Sequence, residues 1–419
     1  MSKPEGLLGQ LIAAVDREDA ISLLQRAIGR ESITGGEANF VSLLHEEMTH
    51  RGIGDIQCED FLPGRPNIWG ERRGTGGGER LLFIGHTDTV HVNGWREHWA
   101  GTERENPFSG AIVDGRIWGR GAGDLKAGIC SSLAALSLLD RAGIKPKGDV
   151  AFAFVGDEES GEQDTGVSAG IKSYTSAIEA GSVPRPDFVV YVEPTQLAVY
   201  TAQIGFFIAD ITITGKSAYF GVPELGKDAL KASHAVMSAL WQHSDAIAAR
   251  AEHGLIGKGF LLITGFSGGG FIAVPETCKL SLIRKLLPGE ALDDAAKAME
   301  GVIRGAIADP EIRVDIAYPA GRDHPLGGSA AEIDRTLPSV DLLARSVADA
   351  MAGRGAIKGA PFWSETPFFV NQLGIPAVYC APGDIRNCHT FQEHVEIDEY
   401  LAGVVAFAAF IARYCGIAD

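Results

Sequence analysis

Two histidines and five acids stand where apolar runs stop. His86 and Asp88 close the stretch "LLFIGHTDTV", Asp124 lies in the glycine-rich turn "WGRGAGDLKAG", Glu158 and Glu159 end "DVAFAFVGDEE", Glu193 ends "DFVVYVEPT", and His389 follows "IPAVYCAPG". So many carboxylates at one rim would repel one another unless a cation sat among them. Two imidazoles with three carboxylates match the mixed nitrogen and oxygen ligation of Zn2+, Mn2+ or Co2+, and a shared carboxylate bridges two such ions ~3.5–4 Å apart. Asp88, two residues past His86 on a chain leaving its strand, is placed to accept the second imidazole N–H and so fix the tautomer. Taken singly, each of these groups is more often a helix cap or a turn residue. The inference rests on the set.

Such a set needs strands that all end at one edge. Strand-like runs alternate with helical periodicity: "RLLFIGH", the helix "KAGICSSLAALSLLDRAG", "DVAFAFVGDE", a helix around "SAGIKSYTSAIEAG", and "DFVVYVEPT". Residues 150–155 and 188–192 are apolar on both faces, as strands covered by helices on each side must be. The spacing therefore predicts an α/β fold, a mostly parallel sheet with helices on both faces. The carboxyl ends of its strands share one edge, where open α/β sheets bind ligands. Near Gly205 the grammar changes to strand, helix, two strands, helix, strand, from "FFIADITITG" to "EIRVDIAY". This predicts an inserted α+β sandwich at 205–318 within a discontinuous first domain, 1–204 and 319–419.

At 419 residues the chain is long enough for two or three cores. A formal net charge of -17, with no Lys/Arg-rich block to reverse it locally, argues against nucleic acid as a partner. The first residues, with Lys3 and Glu5, contain no long apolar run, so no secretory signal is expected. The segment "LAGVVAFAAFIARYC" is shorter than the ~20 residues of a membrane span and reads as a core helix. Six cysteines without a CxxC pair argue against a disulfide framework and a Cys-type zinc site, and point to a cytoplasmic location. Cys388, beside His389, is expected to be a buried small apolar group. "GTGGG" and "GRGAG" have the wrong spacing or the wrong position for a dinucleotide loop.

Six blocks, "GHTDTV", "PFSGAIVDGRIWGRGAGDLKAG", "GDEESG", "VEPT", "GKSAYFGVPELGKDAL" and "CHTFQEHVEI", occur in order between Leu81 and Ile397. Together they resemble the co-catalytic metallopeptidase family of aminoacylase, acetylornithine deacetylase, succinyl-diaminopimelate desuccinylase and glutamate carboxypeptidase. The resemblance implies that His86 and Glu193 hold one metal ion, that Glu159 and His389 hold another, and that Asp124 bridges them. Glu158 would be the general base, with Asp88 beside it in the catalytic set. A small-molecule substrate and a homodimer formed through the inserted domain, acting as a lid, are implied as well. Arg284 in "LSLIRKLLPGE" matches the lid arginine that recognises a substrate carboxylate, a task for which its planar fork is suited.

Two lid positions depart from the family pattern. Tyr219 in "GKSAY" stands where a histidine usually donates to the oxyanion of amide hydrolysis, and Ile272 in "GGGFIAVP" replaces an asparagine. An oxyanion donor contributes about 3 kcal/mol to an acyl-transfer transition state, so its replacement is not neutral. The expected activity is metal-dependent hydrolysis of a carbon–nitrogen bond in a small carboxylate-bearing substrate. The alternative is hydrolytic deamination of an aromatic amino acid such as 5-nitroanthranilate, as in one branch of the family. A lid lined by Phe220, Phe271 and Ile272 would suit such a ring. A non-catalytic metal-dependent binding protein is a third reading, and Glu158 argues against it. Glu365 and Ala381 also depart from family pattern in the outer pocket. Arg386, three residues before His389, is a candidate carboxylate anchor.

Overall fold

The strand Leu81–His86 is buried along its whole length, with Val150–Val155 on one side and Phe188–Tyr191 on the other, both parallel to it and equally buried. Ala377–Tyr379 adds a further parallel strand beside Phe188–Tyr191. In this computed structural model, which describes residues 6–159 and 165–418, those four strands form the centre of the sheet. Lys3 and Glu5, and Ser160 and Gly161 at the end of the "GDEESG" block, lie outside the described residues.

The parallel arrangement predicted for the sheet holds at its centre. Its flanks are antiparallel: the hairpin Gly54–Leu62 and Arg65–Arg72 pairs with Val150–Val155, and Val199–Gln203 pairs with Ala377–Tyr379. Helices cover both faces. Ala127–Arg141 and Ile397–Tyr414 pack together on one, where Phe407 meets Phe83 at 5.1 Å between ring centroids. Ala38–His50 and Ala169–Glu179 lie against the hairpin side. The apolar C-terminal segment is a core helix, Ile397–Tyr414, buried at fifteen positions. A different stretch, 122–141, is the one among the described residues long and apolar enough to cross a membrane, and it too is buried along nearly its whole length.

Before Leu81 the described residues form three helices, Gly6–Ala14, Arg17–Ile28 and Ala38–His50, besides the hairpin. Ala111–Val113, Arg116–Trp118 and His394–Glu396 form a small antiparallel sheet of three-residue strands, too short to show a period in the sequence. It joins the segment before Asp124 to the segment after His389.

The chain divides into two compact units, 1–201 with 333–358 and 368–419, and 202–332 with 359–367. Within the second unit, Gly205–Thr214 lies between Thr277–Leu286 and Arg313–Ala317, and Phe260–Gly268 is the outer strand, all antiparallel. Burial alternates along Gly205–Thr214, so Phe207, Ala209, Ile211 and Ile213 face a core shared with the helices Ala229–Arg250 and Leu292–Gly305. The main elements follow the order read from the sequence, strand, helix, two strands, helix, strand, with a short unexpected hairpin, Glu252–His253 and Gly257–Lys258, after the first helix.

Candidate metal centre

His86 ends its strand inside the first unit, 2% exposed. Its Nδ1 lies 2.9 Å from the backbone carbonyl of Asp88, which fixes the proton there and leaves Nε2 as the donor atom turned to the site. Nε2 is 3.1 Å from Asp124 Oδ1 and 3.8 Å from Glu193 Oε1. On the other side of Asp124, Oδ2 is 3.2 Å from His389 Nε2, which in turn is 2.9 Å from Glu159 Oε1. The five side chains thus form two groups that share one carboxylate through its two different oxygens. His86, Asp124 and Glu159 each offer a ligand atom within 4.8 Å of the others.

The donor set fits divalent ions. Neighbouring ligand atoms around a tetrahedral ion with bonds of ~2.0–2.1 Å lie roughly 3.3 Å apart. The separations above scatter about that value. Both imidazoles stand directly against carboxylates. Burial by itself would lower the His86 imidazole, but the hydrogen bond to Asp124 and the charges of Glu193 and Asp124 outweigh it and hold the ring well above its ordinary range. His389 behaves alike: burial opposes protonation, Asp124 and Glu159 overcome it, and the ring is raised to about 11. Burial pushes the Glu159 carboxyl up, as does the Asp124 charge, whereas Asp124 itself, between two imidazoles, is held low despite its burial. The pocket favours positive charge at the point where the two groups meet.

Local backbone conformation places these atoms. Asp124 sits in a non-helical step, φ -116 and ψ 93, at the entrance of the Ala127–Arg141 helix. Gly121 precedes it with φ +81, and a Cβ there would come 2.9 Å from Thr89 Cγ2, so the turn needs glycine twice over. His389 has φ 61, a left-handed conformation that swings its ring back toward Glu159.

Asp88 differs from the expectation. Its carboxylate stands 3.8 Å from His86 Nδ1, and the backbone carbonyl of Asp88 takes that proton instead. The carboxylate accepts the backbone N–H of Glu158 at 3.3 Å and of Glu159 at 2.9 Å, and the Thr34 hydroxyl at 3.0 Å. The strand ends at His86, so the alternation that would put the Asp88 side chain on the same face as the ring no longer holds two residues later, and the main chain reaches the ring instead. Asp88 therefore positions the paired acids. Glu158 is half-buried, three residues past the end of Val150–Val155.

Two candidate carboxylate anchors are already engaged. Arg284 is 3% exposed, on the core side of Thr277–Leu286 with Leu280 and Leu282, and its fork is taken by Glu290 at 2.5 Å and by the Lys285 carbonyl. The alternation of the strand decides this, since even-numbered positions face the helices. Arg386 is exposed and grips Asp384 through Nε and Nη2, at 2.6–3.0 Å. Tyr219, Phe220 and Ile272 come together in the second unit: Phe220 N–H donates to the Ile272 carbonyl, and the Tyr219 and Phe220 rings lie 4.6 Å apart. All three are more than half exposed, and Phe271 is 99% exposed. Cys388 is buried, and burial with the surrounding carboxylates pushes its thiol well up, which suits an inert small group.

Three residues that hold the site were missed. Thr34 braces Asp88, and Arg120 and Glu393 form a buried ion pair behind Asp124. Glu393 lies four residues beyond His389 in "HTFQEH", and a single sequence gives no signal to separate it from a surface acid.

Residues 82–413 match the model of peptidase family M20/M25/M40. Succinyl-diaminopimelate desuccinylase of Cupriavidus necator is 29% identical over 220 residues, 50% of this chain and 54% of that protein, so the chain spans about half the length of this curated relative. Among solved structures, an M20 family metallo-carboxypeptidase of Sulfolobus solfataricus superposes with a TM-score of 0.73 at 16% identity, covering 96% of this chain and all of the other. A dinuclear metal-binding peptidase of the M20 family from Bacillus subtilis gives 0.63 at 15% identity, over 95% and 98% of the two chains. The match over most of the chain, with a fold common to both structures, means that this protein belongs to peptidase family M20/M25/M40.

Proposed function

We propose that the protein is a metal-dependent hydrolase of the peptidase and deacylase type, cleaving a carbon–nitrogen bond in a small carboxylate-bearing molecule. One observation carries the reading: Asp124 faces His86 through one oxygen and His389 through the other. His86 and Glu193 would hold one divalent ion, Glu159 and His389 a second, with Asp124 between them. Zinc, manganese or cobalt suits this donor set. Such ions would acidify the attacking water and stabilise negative charge on the substrate oxygen.

Glu158 acts as general base in this reading, taking a proton from the water and returning it to the leaving nitrogen. Asp88 holds the amides of Glu158 and Glu159 and so keeps the base and its neighbour in fixed relation. We assign the metal-binding, catalytic role to residues 1–204 and 319–419, which contain every candidate ligand, and the role of lid and dimerisation domain to 205–318, although 319–332 and 359–367 group with the second unit rather than the first. Arg284 and Arg386 are both engaged, so either would have to exchange partners to recognise a substrate carboxylate. The free cysteines, five of them buried, support a cytoplasmic location.

A second reading, hydrolytic deamination of an aromatic amino acid, is favoured by the exposed apolar cluster of Tyr219, Phe220, Phe271 and Ile272. One assay separates the two: ammonia released from aminobenzoates against acid or amino acid released from N-succinyl and other N-acyl amino acids and from peptides. Glu158→Gln should lower kcat by about 10²–10⁴ in either case, with metal content unchanged. Full activity in that variant would remove Glu158 as the base.

A further inference from the structure

The turn that carries Asp124 and the segment that carries His389 are tied together by one buried acid. Glu393, 1% exposed, accepts the backbone N–H of Gly123 at 3.3 Å and that of Asp124 at 3.2 Å through Oε1, while Oε2 is ion-paired with Arg120. Its backbone carbonyl accepts the N–H of Gly119 at 3.3 Å. Immediately beyond, His394–Glu396 pairs antiparallel with Arg116–Trp118, so the strand leading into the Asp124 turn and the strand leaving His389 are joined as well. The fit is close: a Cβ at Gly123 would lie 3.3 Å from Cys388 Sγ and 3.8 Å from Glu393 Cγ. Arg120, 3% exposed, is anchored in turn by the His91 carbonyl at 3.3 Å and lies over the Trp95 ring at 5.4 Å.

We propose that Glu393, with Arg120 as its counter-charge, is a positioning residue of the metal centre, setting the distance between Asp124 and His389 by gripping the amide of Asp124 itself. The proposal rests on the metal-centre reading above. Two features distinguish this pair from an ordinary fold contact. Its acceptor oxygen is used on the amide of the one residue that faces both histidines, and the acid lies only four residues from one of those histidines. A second carboxylate so near an acidic rim would be strongly opposed unless a cation stood behind it, which is the place Arg120 occupies. Ligand positions must be held within ~0.5 Å to keep a metal site intact, and one rigid acceptor on the ligand's own amide does so with few degrees of freedom.

The test is Co2+ titration of metal-free full-length protein, read by the visible absorption band and by competition with a chelator, together with thermal melting by circular dichroism. Glu393→Gln is compared with wild type and with Glu47→Gln, which breaks a buried ion pair elsewhere in the same unit. Glu393→Gln should weaken Co2+ binding by about 10–100-fold and alter the band, as loss of an outer partner of a metal ligand does. Glu47→Gln should leave both unchanged even though it lowers the melting temperature. Wild-type binding in Glu393→Gln, or equal weakening in Glu47→Gln, would overturn the proposal. If Glu393→Gln does not fold, Glu393→Asp carries the same expectation, since it keeps the charge opposite Arg120 but withdraws the acceptor. Failure of both to fold would assign the pair to the fold alone and overturn it too. A wild-type protein that binds no Co2+ would instead bring down the metal-centre reading, and the proposal with it.

Discussion

At Asp88 the main chain and the side chain carry separate tasks: the carbonyl fixes the tautomer of His86, and the carboxylate holds the amides of Glu158 and Glu159. Asp88→Asn keeps the first task and damages the second, because an amide has one acceptor oxygen where the carboxylate uses two. Hydrogen bonds to a charged group are worth about 1.5–3 kcal/mol, so kcat should fall roughly 10–100-fold. Metal content measured on the same samples should stay near that of wild type, since the His86 ring keeps its orientation. A variant with normal kcat would show that the paired acids hold their places without Asp88. Residue identity was readable here, and residue geometry was not. The spacing of His86 and Asp88 marked both as functional, but which atom of Asp88 meets the ring depends on how the chain turns as it leaves the strand.

Elements give the site its stiffness. The helix Ile397–Tyr414 follows the His389 segment directly and covers the strand that ends in His86, through Phe407 against Phe83. Phe407→Ala removes a wholly buried ring and should cost about 3–5 kcal/mol, measured as a lower urea midpoint. Another brace is Glu47 on Ala38–His50, which pairs with Arg26 and Arg51. Burial alone would raise its carboxyl, but the hydrogen bond from Arg26 and the charge of Arg51 outweigh it and hold the group below its ordinary 4.5. A carboxyl lowered on folding stabilises fully above its unfolded pKa, and that contribution disappears as the pH falls through the folded value. Between pH 5 and pH 3 the urea midpoint of wild type should therefore drop more than that of Glu47→Gln; parallel curves would refute the linkage.

On the scale of the whole chain, two units with separate cores predict unfolding in more than one step, seen in calorimetry as a measured enthalpy larger than the van't Hoff value. All candidate ligands belong to the first unit. Added Zn2+ should raise only the transition of that unit, since an ion that binds the native site stabilises by mass action, about 2.7 kcal/mol at a hundred times its dissociation constant. Dialysis against a strong chelator should abolish hydrolysis, and a divalent ion should restore it. Activity that persists without metal would exclude the proposed function.

The sequence by itself determined the central frame and which residues gather at its edge. Runs apolar on both faces read as covered strands, and acids placed one after another at their ends were expected to share one edge, where the structure brings Asp124, Glu159 and Glu193 together with His86 and His389. Period and composition are local properties, so Leu81–His86, Val150–Val155 and Ala127–Arg141 were legible without neighbours. Tertiary structure alone decided what depends on contacts between distant segments: the antiparallel flanks of the sheet, the three-residue strands that join 116–118 to 394–396, and the pairing of Glu393 with the Asp124 turn, 269 residues away. It also decided that Arg284 faces a core, because a side chain's availability depends on which face of a sheet is buried, and no short motif records that.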